Sequence, residues 1–195
     1  MKRILAALFL VAAIGVMAPR ALHADDAAIK SAMVASMMDA GGKIEELAAA
    51  MPDKKYDWRP EKGVRSVREV YLHVVAANYQ LASVVGAKPP MSMQELDGLE
   101  KTTPDKAKLG QMLKDSYAFA SDAINNTPES EMGTEVDFFG NKKTKLSVLM
   151  SLVSHSHEHL GQSIAYARMN GVTPPWTARQ EEAAKKAAAG KKAGM

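Results

Sequence analysis

The sequence predicts an all-α protein, a four-helix bundle with long second and third connections. Apolar residues recur at spacings of three and four in four separate segments, as on one face of a helix. Capping residues, prolines or glycines bound these segments. No segment shows the sustained alternation of a large sheet, and residues 136–143 are expected to form only a short hairpin-like loop. The architecture is therefore a bundle of antiparallel helices around one core.

The first helix is expected at residues 26–51. Its apolar stripe comprises Ile29, Met33, Met37, Ile44, Leu47 and Met51. Gly41 and Gly42 are expected to interrupt the helix and bend it, and Pro52 ends it. Methionines can bind copper, but at this helical spacing we interpret them as core residues, because flexible thioethers fill gaps between helices well.

The second helix is expected at residues 66–86. Ser66 and Glu69 have the spacing of a capping box, in which each side chain binds a backbone amide of the other residue. The buried side comprises Val67, Val70, Val74 and Leu81. Gly86 then ends the helix, because glycine readily adopts the left-handed conformation that follows a last turn.

The third helix is expected at residues 103–127. Pro104 is suited to the first helical position, and Asp105 interacts favourably with the positive end of the helix dipole. The apolar stripe comprises Leu109, Met112, Leu113, Tyr117, Ala120 and Ile124. Pro128 closes the segment, because proline cannot continue the helix.

The fourth helix is expected at residues 144–170. Its apolar stripe comprises Leu146, Leu149, Met150, Val153, Leu160, Ile164 and Ala167. Asn170 and Gly171 are typical of a helix end, and two prolines follow them. This last helix also carries three of the chain's five histidines.

The first 24 residues resemble a secretory signal peptide. Lys2 and Arg3 precede an apolar run over residues 4–17, and Ala24 suits the last position before cleavage. The alternative is an uncleaved membrane anchor, but the run is short for a span. The chain has no cysteine that could carry a lipid. We therefore expect a periplasmic protein that has no stable membrane partner after cleavage.

The mature chain divides into a bundle domain at residues 25–177 and a tail at residues 178–195. The tail is rich in lysine and alanine and has no apolar stripe to bury, so a frayed helix or a flexible, disordered segment is expected. The bundle domain is long enough to bury one sizeable core.

The charge of the mature chain argues against nucleic-acid binding. The whole sequence has a net charge of +3, and the predicted signal peptide contributes Lys2, Arg3 and Arg20 without any acid. The mature chain is then neutral overall and lacks the basic excess of a nucleic-acid-binding protein. The absence of cysteine excludes disulfides, thiolate metal ligands and a cysteine nucleophile.

Three histidines are the strongest candidates for a functional site. His155 and His159 are one helical turn apart, so both imidazoles can point at one place. His73, on another predicted helix, can supply a third nitrogen. A site with three protein ligands leaves a coordination position open for water or substrate. Zinc and nickel suit such ligands best, with iron or manganese as further divalent candidates. His157 points away from this face and is expected at the surface.

A few neighbouring residues are candidates for supporting roles. Gln162 lies on the face of His155 and His159. It is either the candidate catalytic residue, which could bind a ligand or a water, or an ordinary polar position. Glu69, four residues before His73, either orients that ring or serves only the capping box. Four aromatic residues line the pocket mouth or, more in keeping with their spacing, belong to the core. They are Trp58, Tyr71, Tyr79 and Trp176.

Three segments together resemble the DinB-like superfamily of metal-binding four-helix bundles. They are Tyr56-Asp-Trp-Arg-Pro60 with Val64-Arg-Ser66, then Glu69-Val-Tyr-Leu-His73, and finally His155-x-x-x-His159-Leu-Gly-Gln162 with Tyr166-Ala-Arg-Met-Asn-Gly171 and Pro174-Pro175. The resemblance implies that His73, His155 and His159 are the three metal ligands. It also implies kinship with bacillithiol S-transferases and mycothiol-dependent isomerases, which use the metal to activate a thiol cofactor.

Two functional hypotheses follow, together with a structural one. In the first, the protein is an exported metal-dependent enzyme, a transferase or a hydrolase, that activates a thiol or water toward a small-molecule substrate. In the second, it is a non-catalytic periplasmic protein that binds a metal or small ligand, for example in stress protection. In the third, the site only joins helices within a structural homodimer.

Overall fold

A computed structural model describes the backbone of residues 20–193 and the side chains of residues 27–191. Its helices are α1 Arg20–Ala50, α2 Val67–Val84, α3 Met93–Gly98, α4 Lys106–Asn126, α5 Lys145–Met169 and α6 Pro175–Ala193. The four long helices α1, α2, α4 and α5 lie within a few residues of the predicted ones. The expected all-α four-helix bundle is confirmed.

The four long helices enclose one core. α1 and α2 each pack against both α4 and α5, so α1 and α2 occupy opposite corners of the bundle. Most of the predicted stripe residues are buried at this centre. Ile29 and Met150 are exceptions, because they lie on outward-facing parts of α1 and α5 and are about half exposed. The packing of α2 against α5 brings side chains of these two helices into contact.

The helix starts follow the predicted capping chemistry. Ser66 accepts a hydrogen bond from the amide of Glu69, whose carboxylate accepts one from the amide of Ser66. The side chain of Asp105 caps α4 and that of Thr144 caps α5. Each cap satisfies an amide that the first helical turn leaves without a partner. The cap at Ser66 sets where α2 begins, seven residues before His73.

The predicted interruption of the first helix is wrong. α1 is continuous from Arg20 to Ala50, through both glycines. Gly41 is buried against the ring of Tyr117 on α4, and an added Cβ there would lie 2.7 Å from two ring carbons. Gly41 therefore permits a close approach of α1 and α4. An added Cβ at Gly42 would meet nothing within 4 Å.

The connections contain the remaining structure. The second connection holds α3 and a 3-10 turn at Leu99–Lys101. The third connection holds the expected hairpin, with β1 Glu135–Phe138 antiparallel to β2 Asn141–Thr144. Phe139 and Gly140 form its two-residue loop, both at positive φ as in a type I′ turn. The 3-10 turn places Glu100 beside α2.

The chain ends differ in what the structure shows. Residues 1–19, most of the predicted signal peptide, lie outside the described residues, and α1 already begins at Arg20. The tail is helical as far as Ala193, and its residues 178–191 are exposed. Arg179 of this helix forms a two-point ion pair with Glu46 of α1. Within the described part of the chain, no helix is both long and apolar enough to cross a membrane.

Candidate metal centre

The bundle brings the three predicted histidines together. His73 lies on α2, and His155 and His159 lie one turn apart on α5, which packs against α2. Nε2 of His155 is 3.2 Å from Nε2 of His73 and 3.1 Å from Nε2 of His159. All three histidines present a ring nitrogen within 4.8 Å of the others.

These separations suit nitrogens that share one metal ion. With metal–nitrogen bonds of about 2.0–2.1 Å, ligands at octahedral to tetrahedral angles lie roughly 2.9–3.4 Å apart. The two distances at His155 fall inside that range. Converging lone pairs would repel one another without a shared cation or proton. The two distances at His155 therefore suit ligands of one divalent transition metal, and the three donor atoms lie within 4.8 Å of one another.

The outer nitrogen of His73 is held by an acidic residue. Its Nδ1 lies 2.8 Å from Oε1 of Glu100, in the 3-10 turn that follows α3. Arg65 binds the same carboxylate at two points, with distances of 2.8 and 3.1 Å. Burial alone would raise the pKa of Glu100, but the hydrogen bonds from Arg65 and His73 lower it below its ordinary value. An ionised Glu100 accepts a hydrogen bond from the protonated Nδ1, which leaves Nε2 of His73 free to bind a metal.

The outer nitrogen of His159 is held by an amide. Its Nδ1 lies 2.8 Å from Oε1 of Gln162, and Nε2 of Gln162 donates to the hydroxyl of Tyr166 over 3.1 Å. The structure thus places Gln162, the candidate catalytic residue, at the side of His159 opposite Nε2. Its amide contributes to orienting a candidate ligand. This arrangement leaves Nε2 of His159 unprotonated, as ligation requires.

Burial and neighbouring groups disfavour the protonated, charged form of His155. Burial lowers its pKa to about 3, and the nearby His159, His73 and Arg65 act in the same direction. The pKa of His73 is also lowered, first by burial and then by Arg65. Nδ1 of His155 is buried and has no hydrogen-bond partner among the described residues. At neutral pH both rings are uncharged, which is the form that binds metals.

His157 lies on the opposite side of α5. It is exposed, and its Nε2 lies 2.8 Å from the hydroxyl of Ser36 on α1. The predicted surface position follows from helical geometry, since residues two apart face different ways. His157 is therefore the natural control for the other histidines.

Glu69 has the capping role and not the role of orienting His73. It serves the capping box and pairs with Arg59, so it does not orient His73. Among the aromatic candidates, Tyr71 and Tyr79 are core residues, and Trp58 and Trp176 are partly buried against the core. Trp58 packs edge-on against Tyr166, with ring centroids 5.4 Å apart.

The site is reachable from solvent at one edge. The side chain of His73 is 24% exposed, whereas His159 as a whole is 7% exposed. His73 and His155 are the partly exposed members of the cluster, and His159 is the buried one. Glu100 and Arg65, which hold the ring of His73, are also partly exposed. Sequence reasoning missed both, since neither shares a helix face with His73.

Comparisons with known proteins identify the family from the sequence and the shared fold from solved structures. Residues 39–163 match the DinB superfamily. A DinB-like protein from Bacillus cereus is 19% identical with a TM-score of 0.63, covering 73% of this chain and 93% of that one. A DinB-like protein from Bacillus subtilis is 20% identical with a TM-score of 0.58, covering 72% and 92% respectively.

A third solved structure, a conserved protein from Enterococcus faecalis, is 16% identical with a TM-score of 0.59, covering 72% of this chain and 95% of that one. No functionally curated protein matches the sequence. At these identities the structural similarities establish the fold alone. The family assignment comes from the sequence match, which spans more than half of the chain and includes all three histidines. This chain belongs to the DinB superfamily.

Proposed function

We propose that the protein binds one divalent transition metal at His73, His155 and His159 and uses it in an enzymatic reaction of a thiol or water. The convergence of three Nε2 atoms, at 3.1–3.2 Å from the central one, carries the proposal. All three donors are nitrogen, so zinc or nickel fits best, and iron or manganese is a weaker candidate.

The site's protein groups prepare the ligands for binding. Glu100 and Gln162 accept hydrogen bonds from the protonated Nδ1 atoms of His73 and His159, and this leaves a lone pair on each Nε2. A carboxylate on a ligating histidine also raises the basicity of the ring. Packing of α2 against α5 holds the two halves of the site in register.

The open edge supports chemistry rather than a closed structural site. Three protein ligands leave at least one position for an incoming group, and partial exposure of His73 gives that group a path. A bound metal would act there as a Lewis acid that lowers the pKa of water or of a thiol and yields a nucleophile at neutral pH.

One observation favours the alternative of a non-catalytic metal- or ligand-binding protein. Both polar atoms of Gln162 are engaged, one with His159 and one with Tyr166. Gln162 can position an incoming group only if its amide rearranges, its oxygen accepts a second hydrogen bond or its second N–H donates one. If it does none of these, the site would bind a ligand without that positioning residue.

Cobalt substitution separates the two functions. We expect cobalt-loaded protein to change its visible absorption spectrum when a small thiol is added, because the thiol enters the open position. The enzymatic proposal further predicts that this protein accelerates the reaction of the thiol with an electrophile above the metal-free rate. A cobalt spectrum that no thiol, azide or other small ligand alters would contradict an open site. A thiol-sensitive spectrum without any rate enhancement would favour the binding protein.

We also propose that the protein is exported and loses residues 1–24, because of the leader composition. The expected product begins at Asp25 and is found in the periplasm. Intact-mass measurement of protein from that compartment tests the proposal. A full-length chain that retains Met1 in the membrane fraction would contradict it.

A further inference from the structure

Arg65 takes part in both of the hydrogen-bond paths that hold the histidines. Its guanidinium binds Glu100, and its backbone oxygen accepts a hydrogen bond from the hydroxyl of Tyr166 over 3.1 Å. The two paths are therefore one continuous chain with a histidine at each end. Its members in order are His73, Glu100, Arg65, Tyr166, Gln162 and His159.

The backbone oxygen of Arg65 fixes the direction of one path. A carbonyl oxygen can only accept, so the hydroxyl of Tyr166 must donate to it. The hydroxyl oxygen then accepts from Nε2 of Gln162, and this turns Oε1 of Gln162 toward His159. His159 must donate from Nδ1, and its Nε2 is left as a lone pair.

The side chain of Arg65 fixes the direction of the other path. A guanidinium can only donate, so Glu100 accepts from it as a carboxylate. The same carboxylate accepts a further hydrogen bond from Nδ1 of His73, which must therefore carry the ring proton. Through its acceptor and its donors, Arg65 thus imposes the ligating tautomer on both histidines.

Arg65 also links the two helices that carry His73 and His159. It immediately precedes Ser66, the cap of α2, whereas Tyr166 lies near the end of α5. The hydrogen bond between Tyr166 and Arg65 therefore joins the start of the helix that carries His73 to the end of the helix that carries His159. Loss of that bond would loosen the backbone from which the Arg65 side chain reaches Glu100.

We propose that Arg65 is a positioning residue that couples the orientation and tautomer of His73 to those of His159. The expected gain in metal affinity rests on the proposed metal site. The expected tautomer, with the proton on Nδ1 of both histidines, applies to the metal-free protein as well.

The test uses Arg65→Gln, Tyr166→Phe and the double variant. In metal-free protein, ¹⁵N NMR of the imidazoles should show Nδ1-protonated His73 and His159. Tyr166→Phe removes the donor to the Arg65 backbone oxygen and should disturb the tautomer of His73 through the loosened start of α2. Arg65→Gln keeps that backbone oxygen, so it should disturb the tautomer of His159 only by shifting the oxygen's position. Neither residue touches the ring that its variant is expected to affect. Zinc affinity, from competition with a chelator, should fall about 10–100-fold in each single variant. The fold-loss of zinc affinity in the double variant should be smaller than the product of the two single losses.

Controls separate this role from general destabilisation. Arg179→Gln removes a similar two-point pair with Glu46 of α1, outside this hydrogen-bond chain, and should change neither tautomers nor affinity. Arg65→Lys keeps the charge but loses the two-point geometry, so its affinity should lie between those of wild type and Arg65→Gln. An unfolding midpoint close to that of wild type shows that a variant is folded.

The outcomes distinguish the two proposals. A wild-type protein that binds no metal contradicts the proposed function, whereas the tautomer measurement still tests Arg65. Wild-type tautomers at the remote histidine in both single variants would overturn the coupling. Affinity losses that multiply in the double variant would overturn it as well, because independent paths give additive free energies.

Discussion

At the residue scale, the three histidines differ in how the protein holds them. His73 and His159 each have an outer partner, Glu100 and Gln162, whereas the outer nitrogen of His155 is buried without one among the described residues. His155 also stands between the other two, within 3.2 Å of both. The neutral form of His155 is maintained by burial and by its neighbours rather than by a hydrogen bond.

The lowered pKa of His155 predicts a pH dependence of the metal-free protein. In the unfolded chain the group has an ordinary pKa of about 6.5, and in the folded protein it has one of about 3. Between these values the unfolded chain binds a proton that the folded protein excludes, so stability is lost as the pH falls below about 6.5. Urea unfolding at about pH 7.5 and 5.5 should show wild type losing on the order of 1 kcal/mol more than His155→Asn.

Comparing two pH values within each protein removes the pH-independent cost of the substitution. An equal loss in wild type and His155→Asn would show that the ring protonates normally in the folded state. The same exclusion of protons should let the site retain metal below the pH at which free imidazole protonates.

Residue spacing predicted the histidine cluster but not its surroundings. His155 and His159 are recognisable because helical periodicity alone puts them on one face. Glu100 belongs to a 3-10 turn 27 residues beyond His73, and its position depends on how a long connection folds back. Local patterns carry no signal for such a contact. The pairing of Gln162 with Tyr166, four residues apart on one helix, was accessible to the same reasoning.

At the element scale, helix boundaries were largely predictable because capping residues act locally. Ser66 and Glu69 form the capping box that their spacing indicates. Ser92 and Glu95 form a second one, which begins the short helix α3 that the periodicity analysis missed. Six residues are too few to display an apolar stripe, but the capping spacing alone was a usable signal.

The two neighbouring glycines of α1 should respond oppositely to the same substitution. Gly41→Ala places a methyl group 2.7 Å from the buried Tyr117 ring and should cost about 1–3 kcal/mol of stability. Gly42→Ala meets open space and should stabilise the helix by up to about 1 kcal/mol. Urea unfolding of both variants measures the difference. Similar effects of the two substitutions would show that α1 and α4 do not approach closely at Gly41.

At the scale of the whole molecule, the candidate site lies where two helices meet. α2 supplies one ligand and α5 supplies two, and the chain between them contains both long connections. A bound metal would therefore join segments that are 82 residues apart in sequence. The apolar stripes predicted the bundle because burial of apolar area dominates folding, whereas the approach of α2 to α5 depends on the packing of all four helices.

Metal content of five proteins tests the central claim most directly. Wild type and the alanine variants of His73, His155, His157 and His159 are loaded with zinc, freed of excess metal and measured by mass spectrometry. Wild type and His157→Ala should hold about one equivalent, because His157 faces away from the site. The other three variants should lose most of it, because two ligands bind weakly. Full retention by His73→Ala, or equal losses in His155→Ala and His157→Ala, would contradict the account.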